Sequence, residues 1–182
     1  MMRFAYADPP YFKMGAKMFG DRHVDAALWD NKESHINLLD RLLIEYPDGW
    51  AMSCNPANLS WLLTGRENIR VCAWVKTFHQ IRPTTNQFAW EAVLLYGGRK
   101  DHRRKPMVRD WLSCPIAMKK GFRGAKPADF NHWVLNLLNY QDGDQLDDLF
   151  PGSMSMQAAL DERGLRTAVE GQFLPLDMMS DV

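Results

Sequence analysis

The sequence predicts an α/β protein built on a doubly wound, mostly parallel sheet, and three observations carry that reading. Short apolar runs suited to buried strands alternate with helical periodicity from Phe4 to about Val75. The first run, Phe4-Ala5-Tyr6-Ala7, stops abruptly in Asp8-Pro9-Pro10-Tyr11, since a strand cannot continue through prolines that carry no N–H. Near the other end, the run Leu146 to Phe150 is broken by Pro151-Gly152. Ligands of open α/β sheets bind at the carboxyl ends of the strands. The opening turn and the closing glycine bend are therefore expected to form two walls of one pocket.

Residues 3–8 are the first expected strand. Residues 12–34 lack a clean period and mix Gly15 and Gly20 with Lys13, Lys17, Arg22 and several aromatic rings. So long a segment, directly after the acidic turn, is expected to be a loop that contacts substrate, or else a plain surface loop. Ile36 to Tyr46 reads as a helix with Ile36, Leu39, Leu43 and Tyr46 on one face. Trp50 to Cys54 is the second strand, and Asn55 caps a short helix that has Pro56 in its first turn. Val71 to Val75 and Ala89 to Tyr96 are the third and fourth strands. No helical pattern separates these two, so the fourth is expected to run antiparallel, on the sheet edge. Asp129 to Tyr140 is an amphipathic helix that buries Phe130, Trp133, Val134, Leu137 and Leu138. A strand to Phe150, a helix from Met156 to Glu162 and a short strand from Arg166 to Glu170 complete the pattern.

The chain is read as one domain over residues 1–182. Lys and Arg number 22, as do Asp and Glu, so the formal net charge is zero and nucleic-acid binding must rest on a local patch. The strongest basic run offers Arg99, Lys100, Arg103, Arg104 and Lys105 as phosphate contacts, within a second candidate substrate loop at 99–124; a solvated loop explains the run as well. Cys54, Cys72 and Cys114 are far apart, and neither they nor the 5 histidines show metal-ligand spacing. His23, His35, His79 and His132 read as surface or packing residues. No signal peptide or long apolar span is evident, and a reducing cytoplasm, bacterial or that of a phage-infected host, is the expected compartment.

The stop after Ala7 presents a carboxylate, prolyl carbonyls and the flat ring of Tyr11. Such acceptors suit an exocyclic amine. Its N–H bonds can be held while its lone pair points at an electrophile, and the ring can stack on the base. Asp8-Pro9-Pro10-Tyr11 resembles the catalytic tetrapeptide of methyltransferases that alkylate adenine N6 or cytosine N4 in nucleic acid. Asp148-Leu149-Phe150-Pro151-Gly152-Ser153 resembles the acidic-x-Phe-x-Gly turn with which that family binds S-adenosylmethionine. Lys126-Pro127 resembles its Lys-Pro motif, whose lysine meets the methionine carboxylate. Glu170, about twenty residues past the glycine turn, is placed to accept hydrogen bonds from a ribose diol. Trp74-Val75-Lys76 and Trp90-Glu91 resemble strands of messenger-RNA adenine methyltransferases.

Catalytic turn first and cofactor turn last is the permuted, β-group order, and residues 3–171 are similar to phage and actinobacterial methyltransferases. The resemblance implies a class I methyltransferase (Rossmann-like) fold with helices on both faces. It implies catalytic roles for Asp8, Pro9, Pro10 and Tyr11, and cofactor contacts from Asp8, Lys126, Asp148, Phe150, Gly152, Ser153 and Glu170. The implied reaction is methyl transfer from S-adenosylmethionine to adenine N6 in DNA. RNA as substrate, cytosine N4 as acceptor, and a non-catalytic methyltransferase-like binding subunit stand as alternatives. A chain without a separate recognition domain is further expected to work as a homodimer or with a partner subunit. One position departs from the pattern: where the family commonly has a second glycine after the bend, this chain has Met154.

Overall fold

The computed structural model describes residues 1–77, 86–100, 107–117 and 124–164. The expected strand 166–170 lies outside them. Among the described residues six strands form one sheet: β1 (Arg3–Ala7), β2 (Gly49–Cys54), β3 (Arg70–Val75), β4 (Trp90–Gly97), β5 (Trp111–Ser113) and β6 (Gln145–Asp148), in the order β5-β3-β4-β2-β1-β6. β1 is parallel to β2 and to β6, and β3 is parallel to β5. β4 is antiparallel to both β2 and β3, so it alone runs against the rest. The expected direction of β4 holds, but its expected edge position is corrected. Ala92, Val93 and Leu94 are each 0 % exposed, so consecutive residues are buried on opposite faces, which an interior strand achieves and an edge strand does not. The edge belongs to β5, a strand too short and too exposed for sequence pattern to reveal.

Alternation along β1 divides the core. Ala5 and Ala7 face the side covered by α2 (Lys32–Glu45) and α3 (Leu59–Leu62), where Leu38, Leu39, Leu42 and Leu62 meet Trp50 and Met52. Phe4 and Tyr6 face α4 (Ala128–Leu137) and α5 (Ser155–Asp161), among Phe130, Val134, Leu135, Met156 and Leu160. The buried stripe of α2 is set by His35, Leu38, Leu39 and Leu42 rather than by Ile36 and Leu43, and the helix begins at Lys32, where Asn31 accepts from the Glu33 N–H at 3.2 Å.

Residues 12–34 are not a plain loop. They hold α1 (Gly15–Phe19), a 3₁₀ turn over Val24–Asp30 and the first turn of α2. The Asp30 carboxylate accepts from the Gly15 and Ala16 N–H groups at 2.7 and 3.1 Å, closing this excursion on itself.

The amino ends of the strands are tied by ion pairs. Arg3 binds the buried Asp147, which also accepts from the Tyr46 hydroxyl at 2.9 Å. At the carboxyl ends, Tyr6 lies opposite Asp148, and the Leu149 N–H donates to the Tyr6 carbonyl at 3.0 Å. The chain leaves β1 towards β2 on one side and returns to β6 on the other. β1 and β6 thus flank the point where strand order reverses, the place where sheets of this kind bind ligands.

Two substitutions test the local geometry. A Cβ on Gly15 would lie 1.9 Å from the Ala26 carbonyl oxygen. Gly15→Ala should cost about 2–3 kcal/mol in denaturant unfolding. Met154 caps α5 at φ 58° and ψ 25° and is 44 % exposed. Met154→Gly should raise stability by about 0.5–1 kcal/mol, because left-handed backbone strains any side chain and little burial is lost.

Candidate active site

Where β1 stops, Asp8 emerges from the carboxyl edge of the sheet. Lys126, just before α4, donates from Nζ to Asp8 Oδ1 at 2.8 Å and to Glu91 Oε2 at 3.3 Å. Glu91 is the second residue of β4. Because β4 runs against its neighbours, its beginning lies at the edge where the others end. The Tyr11 hydroxyl donates to Glu91 Oε2 at 2.6 Å, and Lys76, one residue past β3, pairs with Glu91 Oε1. The Lys126 ammonium also stands 5.5–5.8 Å from the ring centres of Tyr11, Phe130 and Trp74. Behind Asp8, the Tyr6 hydroxyl and Ser53 Oγ lie 3.0 Å apart.

Burial penalises every charge here, and the partners decide which charges survive. For Glu91, Lys126, Lys76 and the Tyr11 hydroxyl outweigh burial and draw the carboxyl down to about 2. Burial likewise opposes the Lys126 charge, but Asp8 and Glu91 hold its pKa well above the ordinary lysine value. Asp8 is less well compensated: burial outweighs Lys126 and raises its carboxyl above the usual range.

Asp148 closes β6 at 4 % exposure. It accepts from the Phe150 N–H at 3.2 Å, and among the described residues no cation pairs with it. Burial, reinforced by the nearby Asp8 charge, pushes its carboxyl up to about 7. Past it, Phe150 packs edge-on against Trp29 at 5.1 Å. Gly152 bends the chain at φ 41°, and a Cβ there would meet only the Phe150 carbonyl oxygen, at 3.6 Å. Ser153 follows, half-buried.

Of the residues expected from sequence, Asp8, Pro9, Pro10, Tyr11 and Lys126 meet at one edge, with Asp148, Phe150, Gly152 and Ser153 on the neighbouring turn. Arg99 does not join them. Its guanidinium grips Asp144 at 2.6 and 2.7 Å beside the amino end of β6, because the antiparallel β4 carries its own C-terminus to the far edge. Arg99 ties Asp144, which also accepts from the Met2 N–H, to the base of the sheet, at the edge opposite Asp8. The exposed Lys100 follows it. Arg103, Arg104, Lys105 and Glu170 lie outside the described residues. Lys76 and Glu91 were visible as strand-end charges beside tryptophans, but their convergence needed the direction of β4. Ser53, a hydroxyl at 1 % exposure inside β2, is set apart only by the tertiary contact with Tyr6. Among the described residues no group of His, Cys, Asp and Glu is arranged to hold a metal, and no helix is long and apolar enough to cross a membrane.

No protein-family model matches the chain, and no curated protein is significantly similar to it in sequence. Solved structures do resemble it. M1.HpyAVI in complex with SAM aligns over 94 % of this chain and 84 % of its own, at 15 % identity and a TM-score of 0.58. TTHA0409 of Thermus thermophilus, assigned as a DNA modification methylase and complexed with S-adenosyl-L-methionine, aligns over 96 % and 81 %, at 17 % identity and a TM-score of 0.55. With its reversed β4, its switch point between β1 and β6 and helices on both faces, the chain has the class I methyltransferase fold.

Proposed function

We propose that this chain is an S-adenosylmethionine-dependent methyltransferase acting on the exocyclic N6 amine of adenine in DNA. The observation that carries the reading is the pairing of two acidic strand ends at the switch point. Asp8 is held by Lys126, and beside it Asp148 is a buried carboxylate without a cation among the described residues. A ligand that brings its own ammonium and carboxylate fits that asymmetry. Asp148 would accept the methionine ammonium, Lys126 would meet the methionine carboxylate, and Gly152 leaves room for the ligand against the backbone.

When bound, S-adenosylmethionine supplies an electrophilic methyl group, and the protein supplies position and electrostatics. Asp8 and the Pro9 carbonyl accept the two amine N–H bonds, which leaves the nitrogen lone pair free to point at the methyl. Tyr11, its hydroxyl fixed by Glu91, stacks its ring on an extruded base. Methylation leaves the nitrogen with one proton too many. Asp8, whose carboxyl burial makes more basic than usual, is the nearest acceptor for it.

The Asp-Pro-Pro form of the tetrapeptide favours adenine over cytosine, and the DNA modification methylase similarity favours DNA over RNA. A second reading, a non-catalytic relative that binds nucleic acid or a partner subunit, is favoured only by Met154, which stands in the left-handed backbone position of the second glycine. Absence of S-adenosylmethionine binding at millimolar concentration in isothermal titration would select that reading.

Asp8→Ala should lower tritiated methyl transfer to DNA, referred to the folded fraction, by at least about 100-fold; full activity in this variant disposes of the assignment. The Asp148 carboxyl titrates near 7 without ligand, and an ammonium ligand favours its ionised form. Affinity for S-adenosylmethionine should therefore rise from about pH 6 to about pH 8, and Asp148→Asn should bind weakly and lose the rise. Stability of the free protein has the opposite sign. The folded value lies above the ordinary 3.8, so this group's contribution is complete below about pH 4 and is lost as pH climbs through 7. Free Asp148→Asn should gain on wild type at about pH 8 in denaturant unfolding.

A further inference from the structure

His35, by sequence a surface or packing residue, sits where the two turns of the site are joined. It lies in the first turns of α2 and is 2 % exposed. Its Nε2 is 2.9 Å from the Trp29 carbonyl oxygen. A carbonyl only accepts, so Nε2 carries the proton. Burial, working against the Trp29 carbonyl and Asp30, lowers the pKa of the ring and keeps it neutral.

Three aromatic rings stand edge-on around the imidazole: Trp29 at 5.4 Å, Trp61 at 6.0 Å and Phe12 at 6.4 Å. Phe12 follows Tyr11 directly in the chain. Trp29 is the ring that meets Phe150 of the glycine bend. Strand pairing fixes β1 and β6 only as far as Leu149, and both turns then leave the sheet. Beyond that point, Phe12–His35–Trp29–Phe150 is a continuous chain of packed rings from one turn to the other. The excursion that carries Trp29 is itself fastened to α2, where Ser34 Oγ donates to the Leu28 carbonyl at 2.7 Å.

We propose that His35 is a positioning residue of the transfer reaction, holding the catalytic turn through Phe12 and the glycine bend through Trp29 at a fixed separation. The inference rests on the methyl-transfer reading above. Imidazole meets two demands at once, a ring of aromatic shape and an N–H for the Trp29 carbonyl. Phenylalanine keeps the first and leaves a buried carbonyl without its donor; glutamine keeps the second and loses the ring. A misplacement of about 1 Å between reacting groups costs on the order of 100-fold in rate.

The test compares wild type with His35→Phe, His35→Gln and His35→Ala in the full chain. It measures thermal unfolding, S-adenosylmethionine affinity by titration, and kcat and KM for DNA by tritiated methyl transfer, each kcat referred to the folded fraction. The expected result is a kcat at least about tenfold lower in all three, a KM for DNA within about threefold of wild type, and partial recovery in His35→Phe and His35→Gln relative to His35→Ala. A lowered Tm with unchanged kcat per folded molecule would make His35 purely structural and overturn the proposal. If the His35 variants do not fold, Trp29→Phe keeps the backbone carbonyl and shortens the ring between His35 and Phe150; the same fall in kcat is expected, and an unchanged kcat overturns the proposal. Wild type that transfers no methyl group removes the functional reading and this inference together, whereas active wild type with unaltered variants removes this inference alone.

Discussion

A single buried ammonium holds the candidate site together. Lys126 is shared by Asp8 from the turn after β1 and Glu91 from the start of β4, and Glu91 is shared in turn with Lys76. These four charges balance. Their desolvation is offset only while all four are present, and removing one member of such a group leaves an uncompensated buried charge that costs several kcal/mol. Distant parts of the chain are thereby held in one geometry. Asp148, on the neighbouring turn, stands outside the balance: burial raises its carboxyl to about 7, with no cation beside it among the described residues. On the proposed function, the ammonium of the ligand supplies the missing cation.

The reversed strand makes the balance feasible. Were β4 parallel to its neighbours, Glu91 would lie at the edge where Arg99 meets Asp144, far from Lys126. The same reversal carries Arg99, at the end of β4, to the edge opposite Asp8. Direction, more than composition, decides which charges meet.

The sequence was most informative where burial is complete. β1 from Phe4, β2 apart from Ser53 and the core of β4 are apolar runs, and α4 shows a full apolar stripe, so each was visible in outline. The acidic turns and Lys126 were visible through their motifs. Elements held by tertiary contacts were not. β5 has three residues and little burial, and α1 depends on a distant cap from Asp30 and on the absence of a Cβ at Gly15. Ser53 and His35 looked ordinary, because a hydroxyl in a strand and a histidine on a helix gain meaning only from what packs across from them. Glu91 is the intermediate case: its residue type and its place at a strand end were legible, and its role waited on the topology.

The position of β1 has a consequence for biosynthesis. This strand lies inside the sheet, yet its two partners are separated by most of the chain: β2 begins at Gly49, β6 at Gln145. As the polypeptide leaves the ribosome, β1 can pair on one side early, but its other side stays open until β6 emerges. An unpaired apolar edge of that kind invites association with other nascent chains.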